Sequence, residues 1–525
     1  MKRILPLLAL LIVCGNATPL FAQEPIEAEL ELVKQLRNRG WNELAKAKIE
    51  ELLKRNDPVL NATLPLELAR LDIAAARLQD PEQRLATFAV ARARMEDFIA
   101  NNKGKGEAAL AKLDVARLTT YHAQVLLARA MREEAPRDRH EKARPAETKF
   151  IEAGKELDDA IKLLDAAAQD PANAALKNTL LQELRQARFD VAINIFDQAK
   201  TYTNRGNIAV DGKRGEIITR ASKAFSALRN DESSQIGWLA NAWLMKCSME
   251  IQAPDDVRKY YKSVMDRAND KTIQASIQPA VRLVRYFHMQ DQTLPRDDEP
   301  ETFGYNYISG NVKKKPSEPE RLRAVQKDGE AWLKTYSSHL KSYEGQGVRY
   351  ELAQAYLGES RLAEKEKNPK DKKLAEDLLK KAREQFKVLG EYDGELASRA
   401  HRISSRLEYK DVEDGKTELT TFDQFHAKAM IERGKVIAVS RKADDPKADL
   451  KALEAERKQH LKEAINAFTK ALTLTDQNTT AAKLDDTRFY LCGAYLAYGD
   501  PYRGAIVAES LGRSRSNSRG ADGAA

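Results

Sequence analysis

The sequence predicts an all-α protein built as an irregular solenoid of antiparallel helix pairs, and three observations carry that prediction. Gly and Pro number only 25 and 18 in 525 residues, about 8% where ordinary proteins run near 12%. This shortage of turn formers disfavours a β-rich fold. Charged residues make up 32% and aromatics 7%, and the common residues are Ala, Leu, Lys, Glu and Arg, the strong helix formers. Finally, apolar residues recur at helical spacing along most of the chain, which argues against disorder throughout. At roughly 100 to 200 residues per domain the length would mean about three globular domains, but a repetitive helical array escapes that count.

The first 22 residues read as a secretory leader. Met1-Lys2-Arg3 is a short basic start, Ile4 to Val13 is an apolar run, and small or polar residues follow from Gly15 to Ala22. The run is too short to cross a bilayer as a helix. Cleavage is expected after Ala22 or after Ala17. Cys14 follows the apolar run as a lipid-modified Cys would, but Val13 stands where a small residue is wanted, so lipidation is not expected. No later segment has enough uncharged apolar residues to span a membrane, and an exported protein, periplasmic or extracellular, follows.

The formal charge is +8, and loss of Lys2 and Arg3 with the leader lowers it by two. Its 87 basic and 79 acidic residues are interleaved, which is the pattern of a solvated mixed-charge helix surface and not of a nucleic-acid groove. Cys247 and Cys492 remain after leader removal, each in an apolar helical stretch, without the CxxC or Cys/His spacing of a zinc site.

Internal repetition is the most informative signal. Ala464, Phe468 and Ala471 lie at i, i+4 and i+7 on one helix stripe, where small residues admit a neighbouring helix and the ring fills the gap. The same spacing recurs at Ala45, Ile49 and Leu52, at Val257, Tyr261 and Val264, and at Ala382, Phe386 and Leu389. Leu352-Ala353 with Tyr356, and Leu491-Cys492 with Tyr495 and Gly499, have the spacing of a first helix that packs on such a second one. Gly40-Trp41 sits five residues ahead of Ala45, where a tight helix-helix turn needs Gly.

These residues resemble the tetratricopeptide repeat, a pair of antiparallel helices with the signature Leu-Gly-x-x-Tyr, then Gly, then Ala-x3-Phe-x2-Ala. The likeness is best from Gly347 to Gly512 and recognisable at 30 to 55 and 237 to 266. The chain departs from the pattern between Leu357 and Leu374, where an insertion separates the paired helices. It departs again at the last unit, where Asp500-Pro501-Tyr502 adds a residue before Ala505 and Glu509 replaces the aromatic. The whole looks like exported bacterial helical-repeat proteins of the planctomycete type.

Breaks in the pattern divide the chain into a leader (1–22), an N-terminal helical region (23–290), a loop or hinge (291–320), a C-terminal set of repeats (321–512) and a tail (513–525). The hinge carries Pro295, Pro300, Gly304, Gly310, Pro316 and Pro319, with aromatics at Phe303, Tyr305 and Tyr307. Shorter loops are expected at 132–147, where Pro136 and Pro145 lie, and at 202–215, 409–421 and 440–449. The tail is either disordered or the end of a shortened chain.

Chemistry is scarce. Gly104-Lys105-Gly106 lacks phosphate-loop spacing, and no HExxH or GxSxG occurs. His122, His140, His288, His339, His401, His426 and His460 are dispersed, and neither a metal nor another cofactor is expected. Asp411 to Gly415 lacks the alternating oxygens of a calcium loop. Glu509-Ser510 matches the catalytic dipeptide of soluble lytic transglycosylases, but Gly512 and Ser514 replace the residues expected next, and too little chain follows to build a sugar cleft. No catalytic residue is assigned.

The repeat resemblance implies a concave face lined by first helices on which a protein or peptide partner lies. By that analogy Tyr350 and Gln354 project from the groove, without the Lys and Asn that capture chain-terminal carboxylates in some members. The expectation is a non-catalytic protein-protein interaction scaffold in the bacterial cell envelope. Its alternative is the helical arm of a larger envelope enzyme or membrane-anchored protein.

Overall fold

A computed structural model describes residues 26–513 apart from 77–80, 134–135, 204–207, 232–233, 294–316, 366–368, 416–417, 443–448, 476–478 and 480. The leader with Cys14, Ala17 and Ala22, the aromatic patch of the expected hinge, and the tail beyond Arg513 therefore lie outside the described residues. Those described form an all-helical protein, with helices packed against their chain neighbours in the manner of a repeat solenoid. Two compact units are present. The first comprises residues 1–126, 145–200 and 217–231, and the second 127–144, 201–216 and 232–525.

In the first part of the chain the helices are α1 (Ile26–Asn38), α2 (Asn42–Leu53), α3 (Pro58–Ala76), α4 (Pro81–Asn101), α5 (Gly106–Ala130), α6 (Pro136–Gln169), α7 (Lys177–Ala199) and α8 (Ile208–Ser226). Gly40 joins α1 to α2 with φ of 76°, a left-handed conformation that an L side chain resists. Ala45, Ile49 and Leu52 are then fully buried against Val33 of α1 and Leu60 and Leu64 of α3. A second core joins α3, α4 and α5 around Phe88, Met95 and Val115. A third joins α5, α6 and α7 around Leu113, Leu157, Leu164 and Leu180.

The loop expected at 132–147 is mostly helix, because α6 starts at Pro136 and passes through Pro145. Pro136 costs nothing at a first helical position, where its missing N–H has no partner to lose. Pro145 does remove one bond, but Ala143, Ala146, Phe150, Ala153, Leu157, Ala160 and Leu164 are all fully buried. That stripe continues on both sides of the proline and holds the helix together. Likewise α8 starts at Ile208, inside the loop expected at 202–215.

The later helices are α9 (Gln235–Glu250), α10 (Pro254–Met265), α11 (Gln274–Gln292), α12 (Glu318–Thr335), α13 (Tyr343–Lys365), α14 (Pro369–Gly390), α15 (Glu395–Glu413), α16 (Phe422–Lys442), α17 (Leu450–Thr473), α18 (Ala481–Tyr498) and α19 (Pro501–Gly512). Two of the expected loops shrink, since α15 runs to Glu413 and α16 to Lys442. Side chains start several helices: Ser234 accepts from the Gly237 N–H at 3.2 Å, and Asp449 from the N–H groups of Lys451 and Ala452 at 3.1 Å each. Each satisfies donors that a helix start leaves without an internal partner.

The second unit packs around rings. Trp243 of α9 meets Phe287 of α11 edge-on at 5.5 Å and stacks on Tyr343 of α13 at 5.8 Å. Gly347 of α13 lies so close to the Tyr286 ring that an added Cβ would fall 2.2 Å from Cζ, so no side chain fits there. Ala382, Phe386 and Leu389 of α14 are buried against Leu352, Ala353 and Tyr356 of α13. Ala464 and Phe468 of α17, with Ala471, are fully buried, and the first two share a core with Leu491 of α18. Both predicted stripes are thus core.

Candidate functional site: an arginine ladder beside a cavity

The first unit contains a cavity of about 560 Å³ lined by α1, α3, α4, α5 and α7. Its apolar floor includes Ile73 and Ala74 of α3, Met95 of α4, and Leu110, Leu113 and Leu118 of α5. Tyr121 forms part of the wall, its ring held at 5.2 Å from that of Phe88.

Three arginines line the same cavity, one from each of α1, α3 and α5, and each reaches a carboxylate on the next odd-numbered helix. Arg37 Nη1 donates to Glu67 Oε2 at 2.6 Å. Arg70 donates from Nε and Nη2 to Asp114 Oδ2 at 2.8 and 2.6 Å, and from Nη1 to Glu67 Oε1 at 2.5 Å. Arg117 Nε donates to Asp190 Oδ2 at 2.8 Å, and its Nη2 lies 2.9 Å from Glu183 Oε2. Glu67, caught between two guanidiniums, is buried. Burial alone would lower the basicity of Arg70 and Arg117, but Asp114 and Glu67 around the first, and Asp190 and Glu183 around the second, outweigh it and hold both above the ordinary arginine value.

A local sequence repeat produces two of these rungs. Glu67-Leu68-Ala69-Arg70-Leu71 and Asp114-Val115-Ala116-Arg117-Leu118 place an acid three residues before an Arg inside an apolar frame. Ala69, Leu71, Ala116 and Leu118 are buried, which turns the acid and the guanidinium to the neighbouring odd helices. Sequence reasoning missed this motif, although its recurrence was the available signal.

Tyr350 and Gln354 were the residues predicted to face a groove. Both are buried in the structure. Tyr350 packs against Phe386 at 6.1 Å, and its hydroxyl accepts from Gln354 Nε2 at 3.1 Å.

The second unit brings together Glu432 of α16 with His460 and Glu463 of α17, whose ligand atoms lie within 4.8 Å of one another. Glu432 is fully buried, and its Oε1 accepts from Lys428 at 2.7 Å and Lys435 at 2.9 Å. Its Oε2 meets His460 Nδ1 at 2.7 Å. Burial pushes the Glu432 carboxyl up, but the bonds from Lys428, Lys435 and His460 prevail and hold it at about 2. A cation would have to displace two ammonium groups from Oε1, so the donor set suits an ion-pair hub fastening α16 to α17 better than a metal. Among the cysteines, Cys247 is buried and Cys492 half-buried, and both are free thiols. Burial raises each above its ordinary value, away from nucleophilic use.

Glu509 is an exposed residue of α19, bonded to Arg513 at 2.5 Å. No helix among the described residues is long and apolar enough to cross a membrane.

No protein family matches this chain, and no curated protein does. Among solved structures it is similar to a circular tandem repeat protein with novel repeat topology and enhanced subunit contact surfaces, at 14% identity, over 92% of this chain and 95% of the other, with a TM-score of 0.21.

Proposed function

We propose that this chain is a non-catalytic interaction scaffold of the bacterial cell envelope, and that the cavity of the first unit is where a protein partner docks. The observation that supports this reading is the cavity's construction. Successive odd helices contribute its walls, as in the concave face of a helical repeat, and its charged groups are matched to one another and not to a reaction. The leader at 1–22 supports export.

The test is site-specific photo-cross-linking in the native host. A photoreactive residue replaces Thr179, on the cavity rim, or Leu163, an exposed position on α6, which does not line the cavity. Discrete protein adducts are expected from the Thr179 position, in the exported fraction, on a chain shortened by its leader. Adducts that are equal at both positions, or confined to the cytoplasm, would sink the proposal.

A second reading, the helical arm of a larger envelope enzyme or anchored protein, draws support from α18 and α19. Leu496, Tyr502 and Ile506 are exposed there, as a helix face awaiting a further layer would be. The intact mass of the protein from its source separates the two, since a mass well above that of these residues supports the arm.

A further inference from the structure

We infer that α19 is a self-association surface, on which a second copy of this chain packs its own α19 antiparallel about a two-fold axis through Ile506. The inference goes beyond the docking proposal and does not rest on it, since the cavity belongs to the first unit and α19 to the second.

α19 has two faces of different character. Gly504 and Leu511 are buried, and Val507 packs on the core that α16, α17 and α18 share. At about 100° per residue, Tyr502 and Ile506 fall on the opposite side, one turn apart, and they are 77% and 52% exposed. Glu509 and Arg513 continue the same outer stripe and are exposed as well. Among the described residues nothing covers this face. Ile506 therefore stands at the middle of an exposed stripe with an aromatic ring before it and an acid and a base after it.

The charges choose the occupant. Counted from Ile506, Arg503 lies three residues before and Glu509 three after, while Asp500 lies six before and Arg513 seven after. Turning the helix end for end about Ile506 lays Arg503 on Glu509 and brings Asp500 beside Arg513. A second α19 running the other way thus meets an opposite charge at each place, and a two-fold axis makes every such contact twice. A parallel copy in the same register would set like charge on like. An unrelated partner has no need of charges that mirror one another about one residue, so the pattern favours a second copy over a different protein. Within one chain these groups hold only exposed pairs between neighbours on the same helix, Arg503 with Asp500 at 3.5 Å and Glu509 with Arg513 at 2.5 Å. Such pairs contribute little and exchange partners at small cost.

α19 has 12 residues. One short helix from each copy gives a contact at the small end of specific interfaces, so the dimer is expected to dissociate in the micromolar range, about 1–100 μM.

The test is sedimentation equilibrium of the whole chain from about 1 to about 200 μM, a range that brackets such an affinity. A monomer–dimer equilibrium is expected, with no larger species, because a two-fold contact closes on itself. Ile506→Glu sets like charges together on the axis and should leave a monomer throughout. Arg503→Glu and Glu509→Arg each turn two attractions into repulsions, and each alone should weaken the dimer at least about tenfold. An equimolar mixture of those two variants should regain the native affinity as a heterodimer, since each chain then offers the charge that the other lacks. A patch that is sticky without register would show no such rescue. All three positions are exposed, and thermal melts matching the native chain confirm folding. A native chain that stays monomeric to the highest concentration, an Ile506→Glu variant that still dimerises, single charge variants that dimerise as the native chain does, or a mixture no better than its components each overturns the inference. None of these outcomes touches the adducts at the Thr179 position, so the docking proposal stands or falls separately.

Discussion

The two units hold their helices together in different ways. In the first, a guanidinium from one odd helix spans to an acid on the next, three times in succession, beside cores that set Phe88 and Met95 among Ala, Leu and Val. In the second, rings interlock across α9, α11 and α13, and six of the seven histidines lie there, with only His122 in the first. The same architecture therefore carries two kinds of coupling between helix pairs. The charged form repeats in register along the cavity of the first unit, whereas in the second the rings sit beside scattered charged links such as Arg282–Glu344 and the Glu432 hub. The repeated rungs order the wall of the cavity without filling it.

The largest expected effect that sharpens this contrast is on the aromatic side. Phe468 is fully buried between the rings of His426 at 5.7 Å and Tyr490 at 6.3 Å, and Phe468→Ala should cost about 3–5 kcal/mol. Hydrogen exchange resolved by segment should show the loss across 422–498 and leave α3 to α5 protected. Equal losses in both units would mean that they do not behave as separate cores.

Acid should act next, and on the same unit. Burial lowers the His426 imidazole to about 4 from an ordinary 6.5, against the pull of Asp423, with Lys483 adding to the depression. The folded state thus holds His426 neutral while the unfolded chain takes up its proton below about pH 6.5. Stability from this group is complete above that value and is lost as the pH falls towards 4, by at most about 3 kcal/mol. His288 and His401 are shifted in the same direction, chiefly by burial. Exchange near α16 should rise between about pH 7 and about pH 5, and His426→Gln should remove most of that rise. A steeper rise in α3 to α5 than in α16 would break the comparison.

The smallest effect is predicted for the ladder. Arg70→Met removes both bonds to Asp114 but leaves Glu67 its bond from Arg37, so the expected cost is about 1–3 kcal/mol, read as faster exchange in 58–121. No change there would show the rungs to be decorative.

Much of the fold was legible because burial leaves a periodic trace. The stripes Ala45, Ile49, Leu52 and Ala464, Phe468, Ala471 are fully buried, as their spacing required, and Gly40 turns where the spacing put a turn. Tyr261 departs from its stripe. It is only half-buried, while Tyr260 beside it takes the interior position. The breaks were less legible, since Pro145 looks like an interruption in one dimension and is overridden by a stripe that packs in three. The cavity was least legible. Whether Arg70 meets Asp114 depends on the register of helices 44 residues apart, which no local spacing encodes. Tyr350 shows the converse, since analogy aimed it outwards and its own packing turned it into the core.

The ladder also implies an order of assembly. Arg37 waits for a partner 30 residues on, Arg70 for one 44 on, and Arg117 for one 73 on, so every rung closes only when a later stretch of chain has arrived. A chain emerging with its N-terminus first would complete the rungs in sequence, each finished layer presenting a waiting guanidinium to the layer being made. Each rung thus ties a helix to one that reaches it later along the chain, and the last closes when Glu183 and Asp190 meet Arg117.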